Sequence, residues 1–297
     1  MQYVDADGHV LEHPNGMLEY APAKLRDRIW HVETDSNGRE WVVFDGNRNP
    51  ANVFALAGAG GMSDEDRMRA ATGELRYTDV RPGAFEPGPR LLDLDAERIT
   101  QTVLYPTSLL GIAGTKDVDL AIAQCRAYND WLSDFCMASP ARLFGVALIP
   151  QQDVDAAAAE IARASRKPNL VGTFVRPNPV IDWKHFHDPV YDPVWRAASE
   201  AGWPLGLHPF LAGDIPGAVQ GLRLGEVQAS TAMQMQQSMN MLNIFYTQAI
   251  GNPVDMMTAL AFILGGTCLI LLPFRARWAN HLTLIFALLM AVIGSTA

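Results

Sequence analysis

The passage that decides the fold runs Leu143-Phe-Gly-Val-Ala-Leu-Ile-Pro-Gln-Gln-Asp-Val-Asp-Ala-Ala-Ala-Ala-Glu-Ile-Ala-Arg-Ala-Ser165 and resumes at Leu170-Val-Gly-Thr-Phe-Val-Arg176. Leu143–Ile149 is an apolar run of strand length closed by Pro150. Val154–Ser165 is an alanine-rich helix whose start is marked by Asp153. Leu170–Val175 is a second apolar strand, followed by Arg176-Pro177-Asn178. Two apolar strands joined by a helix make a βαβ unit, and such units build parallel sheets.

Outward from this unit the rhythm repeats. Upstream lie a helix over Asp117–Ala138, a strand over Gln101–Tyr105 ending in Pro106-Thr107, and a helix over Arg90–Ile99. Downstream, Pro193–Ala201 is a helix stopped by Gly202, and Pro204–Leu207 is a strand ending in His208. The chain opens on a short buried strand, Gln2–Ala6, with Asp7-Gly8-His9 at its end. Polar residues thus follow several strands: His9, Thr107, Arg176 and His208. A β/α barrel places its active site on that rim. A doubly wound sheet usually carries a glycine-rich phosphate loop, and neither GxGxxG nor GxxxxGK[ST] occurs.

Residues 13–90 interrupt the rhythm. Ile29–Glu33 and Glu40–Phe44 flank Ser36-Asn37-Gly38, a hairpin signal. Residues 45–90, rich in Gly, Pro, Arg and Asp, read as irregular and lid-like, with a short helix at Asp64–Ala71. The segment is either a plain surface insertion or a substrate cover.

Composition sets the outer bounds. The chain has 297 residues, 49% of them hydrophobic, enough to bury a large core. A formal net charge of −9 gives no electrostatic reason to bind nucleic acid. The three cysteines, Cys125, Cys136 and Cys268, form no CxxC pair, which fits a reducing cytoplasm. Cys125 and Cys136 read as small core residues of a helix on which Tyr128, Asn129 and Trp131 pack and cap. The N-terminus lacks the basic and apolar regions of a signal peptide. Gln228–Leu242, with the methionine-rich run Met233–Met241, reads as an amphipathic barrel helix or an oligomer contact. Met257–Phe274 and Leu282–Ile293 are almost wholly apolar, yet neither reaches the ~20 residues of a secure membrane helix.

Asp7 and His9 are two apart on a strand and project to one face, where a carboxylate and an imidazole can share a divalent ion. The alternative is a polar strand end bonded to a neighbouring loop. His208, after another strand, is either a third ligand or a satisfied structural histidine. Neutral imidazole suits zinc, and carboxylate with imidazole also suits manganese or iron. Arg176 on the same rim can grip a substrate carboxylate in a bidentate fork, or else pair with a local aspartate. His185 and His187 lie in a polar connection and read as loop or structural residues. Glu12 has an open role, and His13, His31 and His281 lack a convergent context.

Several segments together resemble a known family: Val4-Asp-Ala-Asp-Gly-His-Val-Leu-Glu12, Ile99-Thr-Gln-Thr-Val-Leu-Tyr-Pro-Thr107, Ala127-Tyr-Asn-Asp-Trp131, Arg142-Leu-Phe-Gly-Val-Ala-Leu-Ile-Pro150, Arg176-Pro-Asn178, His187-Asp-Pro189 with Tyr191-Asp-Pro-Val-Trp195, and Pro204 to His208. The chain resembles the amidohydrolase-related family of aminocarboxymuconate-semialdehyde decarboxylase and the dihydroxybenzoate-type decarboxylases. The resemblance implies a (β/α)8 TIM barrel over residues 1–266 with one divalent metal, zinc or manganese. It puts the first-strand metal motif on Asp7 and His9 and a later ligand on His208. Catalytic roles fall to His208 and Arg176. The family also uses an aspartate in a segment like S-D-Y-P-H, which this sequence lacks, and Leu264 stands where some members carry a histidine. Residues 267–297 replace the expected last two βα units with an apolar tail, which suggests a frameshift or fusion.

The expected function is therefore metal-dependent decarboxylation or hydrolysis of a carboxylated, cyclic or aromatic small molecule by a cytoplasmic enzyme, with a homo-oligomer possible. The alternative is a non-catalytic truncated barrel or a product tethered to a membrane by its C-terminal tail.

Overall fold

The computed structural model describes residues 2–178, 180–182, 184–209 and 252–271. The chain enters on β1 (Tyr3–His9) and then passes through β2 (His31–Thr34), β3 (Glu40–Phe44), β4 (Asn47–Pro50), α1 (Asn52–Ala55) and α2 (Asp64–Thr72). The βα rhythm follows as α3 (Pro87–Ala96), β5 (Ile99–Tyr105), α4 (Val118–Met137), β6 (Leu143–Ala147), α5 (Val154–Ala164), β7 (Leu170–Val175), α6 (Asp192–Ala201) and β8 (Leu205–Leu207). The helix α7 spans Asn252–Leu271.

The main sheet has the order β1-β5-β6-β7-β8, and every pairing in it is parallel. This is the α/β arrangement expected from the strand–helix alternation, and it brings the C-terminal strand ends to one rim. The helices begin where side chains satisfy their free N–H groups. Asp117 accepts from the Leu120 N–H, and Asp153 from those of Asp155 and Ala156. Gly202 closes α6 in the left-handed conformation.

Three expectations shift. The helix expected over Arg90–Ile99 starts earlier, at Pro87, because proline suits the first helical turn, and it ends at Ala96 so that Ile99 joins β5. The opening strand is not buried: Tyr3 and Val4 are 50% and 61% exposed, and β1 pairs with β5 alone among the described residues. The hairpin forms as expected, with the Asp35 carboxylate receiving the Asn37 and Arg39 N–H groups. A further strand, β4, then joins it through Asp45-Gly46, both at positive φ. That two-residue turn favours an aspartate-glycine pair. Its strand, Asn-Arg-Asn-Pro, is polar and mostly exposed, so no hydrophobic alternation announced it.

The 13–90 segment shares the main core. Met17, Ile29, Trp30, Leu75 and Tyr77 are buried in one cluster with Leu104 of β5 and Leu120, Tyr128 and Leu132 of α4. Buried Gln124 of α4 binds this segment twice, accepting from the Trp30 N–H and donating to the Met17 sulfur. Arg28 bridges Asp45 and Asp117. A second cluster packs Ile149, Ile161, Val175, Tyr191 and Val194 with Ala259 of α7. Cys125 and Cys136 are buried free thiols, as a core reading requires.

No helix among the described residues is long and apolar enough to cross a membrane. The Met233–Met241 run, His281 and the apolar run Leu282–Ile293 lie outside the described residues. Removing the α5 cap by Asp153→Ala is expected to cost about 1 kcal/mol. Urea denaturation should show this as a lower midpoint with unchanged slope.

Candidate metal centre

The site begins with an irregularity in β1. Asp5 pairs with Thr102, but Gly8 pairs with Leu104, so β1 carries one residue more than β5 over this stretch. Such a bulge re-aims the side chains around it. Asp5 holds the bulge together: its carboxylate accepts from the Thr102 hydroxyl at 3.0 Å and from the Asp7 N–H at 3.2 Å. A Cβ on Gly8 would lie 2.3 Å from Thr102 Oγ1 and 2.6 Å from Asp5 Oδ2, so only glycine fits between Asp7 and His9.

Asp7, His9 and His208 each offer a ligand atom, and these atoms lie within 4.8 Å of one another. His9 comes from β1 and His208 from just beyond β8, at opposite ends of the strand order. The curved sheet still brings their Nε2 atoms to 3.2 Å, with Asp7 Oδ1 3.7 Å from His208 Nε2. Each imidazole is oriented through its other nitrogen. His9 Nδ1 donates to the Pro106 carbonyl and His208 Nδ1 to the Pro209 carbonyl, both at 2.7 Å. A carbonyl only accepts, so both Nδ1 atoms carry hydrogen. In the neutral rings, both Nε2 atoms then present lone pairs to the same point. Burial holds the His208 pKa below the usual histidine range, with the nearby His9 acting in the same direction; the Pro209 bond and the Asp7 charge oppose it. Two imidazoles, each oriented by a bond from its far nitrogen, and an exposed carboxylate fit a divalent cation.

Arg176 follows β7 on the same rim and is 5% exposed, its backbone N–H donating to Gln151 Oε1. It lies outside the three-residue cluster. His185 and His187 also stand apart from it, both stacking on Phe262 of α7. His13 packs edge-on against Phe85, and His31 bonds to the Ile29 carbonyl and Glu33. Tyr128 and Trp131 pack in the core, while buried Asn129 bonds both backbone groups of Leu148 and reaches Glu160.

Several supporting residues carried no assignable role in the sequence. Glu12 is fully buried, and its carboxylate receives the N–H groups of Thr107, Ser108 and Leu109 and the Ser108 hydroxyl. It thereby fixes the loop just after Pro106, whose carbonyl orients His9. Arg90 donates to the His9 carbonyl at 2.7 Å and to the Gly83 carbonyl at 2.8 Å. Tyr105 lies against both histidine rings. A carboxylate shortly after the D-x-H motif was the one visible signal among these; the partners of the Glu12 carboxylate lie 95 or more residues away.

The amidohydrolase family model matches residues 4–246. The chain belongs to the amidohydrolase family. Among curated relatives of this amidohydrolase chain, the gamma-resorcylate decarboxylase of Rhodococcus jostii (strain RHA1) is 28% identical over 144 residues, 43% of this chain and 44% of that protein. The decarboxylase orsB of Emericella nidulans is 36% identical over 87 residues, 29% of this chain and 26% of that protein. The chain thus spans less than half the length of these curated relatives. An amidohydrolase from Mycobacterium avium subsp. paratuberculosis K-10 superposes with a TM-score of 0.63 at 19% identity, covering 89% of this chain and 69% of the other. That likeness supports the barrel-type α/β fold.

Two substitutions probe the framework. Glu12→Gln faces an amide group toward the Ser108 donors and should cost on the order of 1–3 kcal/mol, with Glu12→Ala at or above that range. Gly8→Ala overpacks the bulge and should cost about 1–3 kcal/mol. Chemical denaturation measures both, and a wild-type midpoint for either contradicts the geometry described.

Proposed function

We propose that the chain is a metal-dependent decarboxylase of an aromatic carboxylate, with Asp7, His9 and His208 as the metal ligands. The observation that carries this reading is the pair of Nε2 atoms facing each other at 3.2 Å, each imidazole already donating through Nδ1 to a carbonyl. Beside Asp7, that arrangement gathers negative and lone-pair density with no hydrogen of its own to share. Zinc and manganese both suit the donor set.

A divalent ion, when bound, supplies positive charge that binds substrate oxygens and offsets the charge developing as a carboxyl group departs. The chain's own residues do the rest. Arg90 and the Pro106 carbonyl hold His9 in place. Arg176 on the same rim offers a guanidinium whose planar fork matches a carboxylate. In the net reaction the ring–carboxyl bond breaks, carbon dioxide leaves, and the ring carbon takes a proton from a general acid. The support for decarboxylation over hydrolysis is that curated relatives are named as decarboxylases, several of them of gamma-resorcylate.

The test is metal content and turnover together. The full chain, loaded with Mn2+ or Zn2+, is expected to hold about one equivalent, and His9→Ala or His208→Ala should lower this at least tenfold. Gamma-resorcylate and related hydroxybenzoates should release carbon dioxide and the matching phenol, and Arg176→Ala should raise KM by about tenfold. Metal well below one equivalent, unchanged by either histidine substitution, sinks the metal reading. Bound metal without carbon dioxide release from any hydroxybenzoate turns the assignment to hydrolysis or to a non-catalytic barrel.

A further inference from the structure

His9 and Tyr105 are register partners at the ends of β1 and β5. From there the Tyr105 ring crosses the concave side of the sheet to the opposite end of the strand order. Its centroid lies 6.1 Å from that of His9, 5.2 Å from that of His208 and 5.7 Å from that of Phe174. Phe174 in turn meets the His208 ring edge-on at 6.0 Å. Among the described residues, Tyr105 is the aromatic side chain whose ring contacts both imidazoles of the candidate metal centre. The two histidines otherwise meet each other edge-on at 5.1 Å.

The phenol oxygen reaches β8. A Cβ built on Gly206, two residues before His208, would lie 3.0 Å from Tyr105 Oη, closer than ordinary carbon–oxygen contact. His9, Phe174 and His208 pack against the half-buried ring and limit how far it can yield. Gly206 is also the register partner of Phe174, so a shift there passes to the strand end that carries His208. Burial, and then the Asp7 charge, raise the Tyr105 pKa above its usual value, so the phenol stays protonated.

From this geometry we propose that Tyr105 is a positioning residue of the metal centre, a cross-sheet strut that sets the separation of the His9 and His208 imidazoles and requires glycine at 206. The inference rests on the metal reading of the site. It differs from a plain core role in what it changes: the affinity of the folded chain for metal, beyond its stability. Residues that orient metal ligands typically alter metal affinity by about 10–100-fold when removed.

The experiment titrates the full chain with Mn2+, following the free-ion signal by electron paramagnetic resonance, alongside thermal denaturation. Tyr105→Ala is expected to weaken Mn2+ binding by about 10–100-fold, and Tyr105→Phe by less than about threefold. Gly206→Ala should weaken it by about tenfold, and the double variant Tyr105→Phe/Gly206→Ala should recover to within about threefold of Tyr105→Phe, since removing the hydroxyl makes room for the new methyl. The two single-group variants keep the test decisive if Tyr105→Ala does not fold. Folded variants that bind Mn2+ like wild type, at any melting temperature, overturn the inference alone. So does a Gly206→Ala loss that Tyr105→Phe fails to rescue. A wild-type chain that binds no Mn2+ overturns this inference and the metal reading together.

Discussion

Two imidazoles meet through their Nε2 atoms at 3.2 Å, and a framework holds them there. In this chain that framework organises the rim of the sheet. His9 is fixed at three levels: a bulge in β1 shaped by Asp5 and permitted by Gly8, a hydrogen bond from Nδ1 to Pro106, and a guanidinium from α3 on its own carbonyl. The Pro106 loop is anchored in turn by the buried Glu12 carboxylate. Each layer uses hydrogen bonds that are strong because they are charged or sheltered from water.

Much of this was legible in the sequence because it depends on local patterns. Apolar strands punctuated by Pro150, Arg176 and His208, and helices opened by Asp117 and Asp153, announce themselves within a few residues. The candidate trio could be named because Asp7 and His9 share a strand end and His208 ends another. What stayed hidden depends on long-range contacts or on backbone geometry. Nothing in Glu12 itself says that its acceptor oxygens meet N–H groups at 107–109. The bulge between Asp5 and Gly8 is a mismatch with a strand some 95 residues away in the chain, invisible to any periodicity. The polar strand β4 was missed because its partner supplies the hydrogen bonds and its own side chains bury little.

The segment between β1 and α3 also changes character once its packing is visible. Its glycine and proline content suggested a loose lid. Its apolar residues instead sit in one core with α4 and β5, and Gln124 and Asp117 of α4 tie it down by hydrogen bonds. Segment and barrel helix therefore share stability, and a cavity opened at Trp30 or Tyr77 is felt at the base of the rim.

Both carbonyls that orient the histidines belong to prolines, Pro106 and Pro209. Proline has no N–H, so a parallel ladder loses a donor on reaching it, and its ring holds φ near a single value. Strand pairing is thereby discouraged one residue past the end of β5, beside His9, and one residue past His208, and the adjoining carbonyl is left to the imidazole. The prolines act as punctuation: they end the regular backbone where it would otherwise compete for the oxygen that sets a histidine tautomer.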